Sequence, residues 1–268
     1  IRNFATNNST TTITNNGANG ININGEVSNP NGAMTITNNA GALNVGTAGD
    51  LKNKGTMTIV GQNSNTGVTI NGKATNDGNM VIKNVVGANG LNIGGNVTNN
   101  NGTAQIINSQ GGLKIVNGGS VTSNGTSLNI ENTGASGLTV AGKVNNNTGV
   151  AKILNKNGAL QITSTGNVTS DGTSLTINNS GAGGLTIDGT VNNNAGTLDI
   201  TNTNNKLLIS STGRVNSKGS SIDATNSGTN GMHVQGIVNH RNPNGTVNFT
   251  NSNSDMIIGH TSTDFNIT

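Results

Sequence analysis

Two carboxylates have the best claim to chemistry in this chain. Asp199 and Asp223 lie 24 residues apart, each in the middle of an apolar-x-apolar string, Leu198-Asp199-Ile200 and Ile222-Asp223-Ala224. A fold that sets residues 24 apart side by side makes them neighbours, and such a pair could hold a cation. Two solvated surface carboxylates are the simpler reading. The other acidic residues are spread along the chain, whereas cleavage of a polysaccharide needs carboxylates clustered with Lys, Arg or His. His233, His240 and His260 fall near one end at spacings that match no metal-ligand pattern. There is no Cys, which removes zinc-type Cys/His clusters and disulfides but excludes no compartment. Dinucleotide and phosphate loops, the nucleophile elbow and the Gly/Asp calcium nonapeptide are also missing. Eleven Asn-x-Ser/Thr sequons occur, about the number that chance gives when Asn alone is roughly a fifth of the chain. The expectation is a protein that is not an enzyme, with no catalytic, cofactor or metal site.

The composition narrows the partners. Net charge is +3 over 268 residues, and the ten Lys and three Arg are scattered. Only three Phe represent the aromatics, so base-stacking platforms are missing too, and nucleic acid is not expected as a partner. No apolar run reaches the roughly 18–20 residues of a membrane helix, and membrane insertion is not expected. Hydrophobic residues make up 30% of the chain and charged ones 9%. Disordered chains of low hydrophobicity usually carry high charge and much Pro; here there are two prolines. The chain begins at Ile rather than Met, with no visible signal peptide, and reads as a piece of a longer protein.

What would position these groups is a repeat. The string apolar-x-apolar-x-Asn recurs, as in Met34-Thr35-Ile36-Thr37-Asn38 and Leu128-Asn129-Ile130-Glu131-Asn132. Its second apolar position runs Ile13, Ile36, Ile59, Ile82, Ile106, Ile130, Ile153, Ile177, Ile200, Ala224, Phe249, in steps of 23 to 25. A second alternating segment follows nine to eleven residues later (Ile23, Val45, Ile70 and so on to Ile258). A third apolar position, Val27 to Val238, lies four or six residues beyond that. From Val97 to Val238 the offsets alternate strictly between four and six, so the copies pair into 47-residue blocks with a wider turn in every second copy.

Period-two alternation puts the apolar residues of each segment on one face. A copy of about 23 residues is too small to bury that face alone, and stacking identical copies solves the problem. The fold predicted is all-β: a single parallel β-helix, or β-solenoid, spanning 1–268, of about eleven coils of 23–24 residues. At about 4.8 Å per coil the rod is roughly 50 Å long. Two residues past the tracked Ile, ten of eleven copies carry Asn. Asn tolerates left-handed backbone at a corner and also stacks into amide ladders. Phe249 and Phe265 are placed as core residues of a distorted terminal coil. The outward column holding Asp199 and Asp223 begins Thr12, Thr35, Thr58 but then runs through Val81, Gln105, Asn129 and Lys152, so a flat ice-binding Thr array is disfavoured.

Segments such as GALNVGTAGDLKNKGTMTIV and GGLTIDGTVNNNAGTLDITN resemble the repeats of filamentous-haemagglutinin-like exoproteins of Gram-negative bacteria. Asn29-Pro30-Asn31-Gly32 and Asn242-Pro243-Asn244-Gly245 match a motif of that family's secretion domain, though both fall at repeat turns. The resemblance implies a right-handed β-helix exported by two-partner secretion through an outer-membrane transporter. It further implies a secreted or cell-surface adhesin whose partner is a host or bacterial surface glycan or protein. The alternatives are a polysaccharide-cleaving β-helix or tailspike, and an extracellular filament subunit.

Overall fold

The computed structural model describes residues 1, 3–5, 10–62 and 66–259. Phe265 and His260 lie outside the described residues. Among those described, every regular element is a strand, and the 33 strands fall into three eleven-stranded sheets. Sheet 1 holds the longest strands, from Thr10–Asn15 to Thr246–Asn251. Sheet 2 holds three-residue strands, from Ile21–Ile23 to Met256–Ile258. Sheet 3 runs from Asn3–Ala5 to Ile237–His240. Within each sheet, neighbours are every third strand in chain order, all parallel. The chain therefore winds as a β-solenoid of about eleven coils, with hydrogen bonds running along the rod axis.

The register matches the predicted columns. Ile36 pairs with Ile13 and Ile59, Ile130 with Ile106 and Ile153, and Ala224 with Ile200 and Phe249. Typical sheet 1 strands alternate half-buried and buried residues along their length, as in Ser127–Asn132. The core is a continuous column of aliphatic side chains, nearly all without solvent exposure. Each large aliphatic so buried contributes about 1.5–3 kcal/mol. Phe249 keeps the regular register over Ala224, which leaves room beneath it, and is partly buried because no described coil covers the last one.

The corner asparagines are where the expectation needs correcting. None of them takes a left-handed backbone; among described non-glycine residues only Asn205 (φ 62°) and Ser254 (φ 73°) have positive φ. From Asn38 to Asn226 they are instead buried ends of strands, and their side chains form a ladder. Asn84 Nδ2 donates to Asn108 Oδ1 at 2.8 Å, Asn108 to Asn132 at 2.7 Å, Asn132 to Asn155 at 2.8 Å, and so on without a break to Asn251. The remaining amide hydrogen closes the turn by bonding a backbone carbonyl, as from Asn132 Nδ2 to Gly134 O at 2.8 Å. Gly61 interrupts the ladder, and Asn84 Oδ1, one coil on, is buried with no donor. Gly61→Asn should extend the ladder across the gap. The expected gain is about 1–2 kcal/mol in denaturant unfolding, from satisfying a buried acceptor and stiffening a strand glycine.

Two turn types alternate, as the four and six offsets predict. The wide ones are closed by hydrogen bonds such as Gly119 N to Val116 O at 2.9 Å and Gly166 N to Thr163 O at 2.7 Å. In three wide coils a buried Ser follows, at 123, 170 and 217. Its Oγ accepts the backbone N–H two residues on at 3.1–3.3 Å, where the Asn of a narrow coil donates to a carbonyl.

Two residues before the sheet 3 core position, every coil from Gly25 to Gly236 carries Gly. This column was not anticipated. Its cause is the approach of adjacent coils. A Cβ built on Gly142 would run into the carbonyl oxygens of Gly119 and Val116, and one on Gly189 into those of Thr163 and Gly166.

Candidate functional site

Register places Asp199 and Asp223 on adjacent rungs of sheet 1's outer face. Asn248 Nδ2, one rung further, donates to Asp223 Oδ1 at 2.6 Å. Partial burial, and then the Asp223 charge, push the Asp199 carboxyl above its ordinary range. Two side-chain carboxylates on a flat strand supply few of the six to eight oxygens that a calcium ion takes. Ionising Asp199 is a cost to the fold, because its folded pKa is raised. That cost is absent well below the ordinary Asp range and appears as pH rises through it. Asp199→Asn should therefore raise the melting temperature slightly at pH 7, by the equivalent of at most about 1 kcal/mol after screening. The gain should fade below about pH 4.

The acidic residues are less dispersed than their sequence positions suggested. Glu26 and Asp50 are 24 residues apart and sit on adjacent rungs of sheet 3. Lys52 lies between them, 2.6 Å from Glu26 Oε2 and 3.3 Å from Asp50 Oδ2. Hydrogen bonds to Glu26 first and Asp50 second raise the lysine above its usual value, so it stays protonated at neutral pH. A groove of about 280 Å³ lies beside this cluster, lined by Lys52, Lys54 and Asp77 among others. The signal that would have found it is the repeat offset itself, applied to the acids as it was to the Ile column. A second pair, Lys156 to Glu131 at 2.6 Å, joins the end of one sheet 1 strand to the turn just past the next and lowers the Glu131 carboxyl.

The histidines are not brought together. His233 faces outward on sheet 2, and desolvation followed by the Lys206 charge lowers its pKa. His240 is a corner residue of sheet 3, 8% exposed, with neither ring nitrogen hydrogen-bonded. Among the described residues no group of three or more His, Asp or Glu could hold a metal ion. No described helix is long and apolar enough to cross a membrane.

Sheet 3's outer face and the corner after it carry the most organised polar surface. One outward column reads Thr75, Thr98, Thr122, Asn145, Thr169, Asn192, Asn216. At the corner a second, external amide ladder links Asp77, Asn100, Asn124 and Asn147 at 2.6–3.1 Å, and Asp171 with Asn194 at 2.6 Å. Besides the groove at Lys52, one of about 240 Å³ lies at Asn192, Asn194, Asn216 and Lys218, and one of about 470 Å³ along Thr148, Asp171 and Thr173. All three are on this side of the rod. Comparison with protein-family models, with curated proteins and with solved structures finds no match. The case for any function therefore rests on this surface and on the repeat.

Proposed function

We propose that the chain is a shaft or binding segment of a secreted or surface-exposed bacterial adhesin of the filamentous-haemagglutinin-like type. It mediates attachment through the outer face of sheet 3 and is not an enzyme. The observation that carries this reading is that face. Its column from Thr75 to Asn216 is a run of hydroxyls and amides on rungs about 4.8 Å apart, beside a second outward column in which Lys73, Lys143 and Arg214 add scattered charge, with three grooves on this face and on the corner beside it. Such a surface suits a partner rich in hydroxyls or backbone amides, meaning a surface glycan or protein. The similarity of repeats to the exoproteins supports export by an outer-membrane transporter. The even winding of coil on coil supports a role in extension.

Because the chain has no Cys, single cysteines give unique handles. Beads coated with the protein should attach to bacterial or host cells. Labelling Thr122→Cys on sheet 3 with a bulky maleimide should abolish attachment, and labelling Thr139→Cys on sheet 2 should leave it intact. Attachment that survives both labels, or no attachment at all, would refute the reading. Turnover of a polysaccharide by the purified protein would favour the cleaving β-helix instead.

A further inference from the structure

The two grooves at opposite ends of sheet 3's face are built at equivalent positions but charged differently. In the first, Lys52 is ion-paired to Glu26 and Asp50, and Lys54 stands one rung from Asp77. In the second, the corresponding positions are Asn216, Lys218 and Arg241, lined also by Asn192, Asn194 and Ser217. Lys218 and Arg241 occupy adjacent rungs, because Arg241 N bonds Ser217 O and Lys218 N bonds Asn193 O, each at 2.8 Å. Arg214 lies on the same strand face as Asn216, two residues away, just outside the groove's lining. All three cations are exposed, and none makes an ion pair among the described residues. The nearest acid along the corner column, Asp171, is two rungs from Lys218 and already accepts from Asn194 Nδ2 at 2.6 Å.

Like charges on neighbouring strands repel, and the first groove shows how this fold neutralises them. The second groove leaves two cations, Lys218 and Arg241, uncompensated on adjacent rungs and frames them with amides, with Arg214 exposed nearby. An Arg guanidinium presents a planar fork that matches a carboxylate, and the Lys beside it adds a point charge. The Asn side chains supply donors and acceptors for hydroxyl groups. No aromatic lines the groove, so a stacked base has no platform. The charge is also sparse, suiting a chain with one anion per sugar better than a densely sulfated one.

We propose that this groove binds a carboxylate-bearing polysaccharide, a polyuronate, laid along the rod axis across Asn192, Asn216, Lys218 and Arg241. The proposal deepens the attachment reading and rests on it. The test is binding of polygalacturonate to the immobilised full chain at about 0.05 M salt. Carboxyl-reduced polygalacturonate and dextran sulfate serve as comparison probes. Saturable binding is expected for polygalacturonate, with at least a tenfold loss for the reduced polymer. The double variant Lys218→Gln/Arg241→Gln should also lose at least tenfold, while Lys114→Gln, at an exposed lysine on sheet 2, should bind as the parent does. Circular dichroism and melting temperature confirm that each variant is folded. Absence of binding, equal binding of the reduced polymer, or an unaffected double variant overturns the proposal. So does tighter binding of dextran sulfate that depends on the same two residues, because it removes the carboxylate assignment. If beads still attach to cells while polygalacturonate is not bound, only the ligand is wrong; if beads fail as well, the attachment reading falls with it.

Discussion

Gly142→Ala should cut the rod's cooperativity in two. The added Cβ has no room: the carbonyl oxygens of Gly119 and Val116 stand in its place, and Ile115 Cγ2 is 3.0 Å away. Those oxygens are backbone of the preceding coil, and Gly119 O and Ile115 O accept inter-coil hydrogen bonds from Lys143 and Gly142, each at 2.9 Å. Relief therefore requires the two coils to part, and the cost should exceed about 3 kcal/mol. Stability in a stacked array is a sum of coil and interface terms. The damage should thus be local: a denaturation curve that broadens or splits, and a new site of limited proteolysis near residues 116–143. Gly118→Ala is the control. Gly118 has φ 88° and nothing within 4 Å of its Cβ position, so it should cost only the left-handed penalty of about 1–2 kcal/mol. A Gly142→Ala protein no less stable than Gly118→Ala would show that the coils approach less closely than described.

Asn132→Asp, nearly isosteric, should be as damaging as many core truncations. Asn132 is buried. It accepts from Asn108 Nδ2 at 2.7 Å and donates to Asn155 Oδ1 and Gly134 O, each at 2.8 Å. A carboxylate keeps the first bond and turns the other two into contacts between acceptors, with a charge buried among them. A loss of about 3–5 kcal/mol at pH 7 is expected. Burial should raise the folded-state pKa of the new carboxyl, so the penalty is largest above the ordinary Asp range and shrinks as pH falls through it. Urea unfolding at pH 7 and near pH 4 reads this directly. Asn129→Asp, on the outward side of the same strand, exchanges a long 3.5 Å bond to Glu131 for a carboxylate one rung from Lys152, and should cost less than about 1 kcal/mol. Equal losses at 129 and 132, or a loss at 132 that is flat with pH, would contradict the ladder.

The apolar columns were legible in the sequence because burial acts on them directly. A residue that must lie on Ile106 and under Ile153 has little choice, and Ile130 shows it. The corner Asn was recognised as a column, but for half the right reason. Its side chain was expected both to ease a left-handed corner and to stack, and only stacking operates. The glycine column from Gly25 to Gly236 is as regular as the Ile column and went unread. Glycine suggests turns through its backbone freedom, whereas here it is selected by contact between coils that are distant in sequence. The Glu26–Asp50–Lys52 cluster was missed because the acids were judged by their spread along the chain rather than across the register. The proposed binding face is the least legible part. Outward positions are free to vary, so Asn192, Asn216 and Lys218 form a groove only once their rungs are stacked.

The direction of the hydrogen bonds has a mechanical consequence. All three sheets bond along the rod axis, so tension applied end to end loads every inter-coil interface in series. The rod then gives way at its weakest junction rather than shearing as a block. A coil that peels off shortens the rod by about 4.8 Å and releases about 23 residues, or about 75–80 Å of extended chain. Under load the protein would lengthen in discrete steps of about one coil, or of a 47-residue pair where turn types alternate. It would serve as a reservoir of slack between two attached surfaces, and single-molecule stretching would show it as a regular sawtooth.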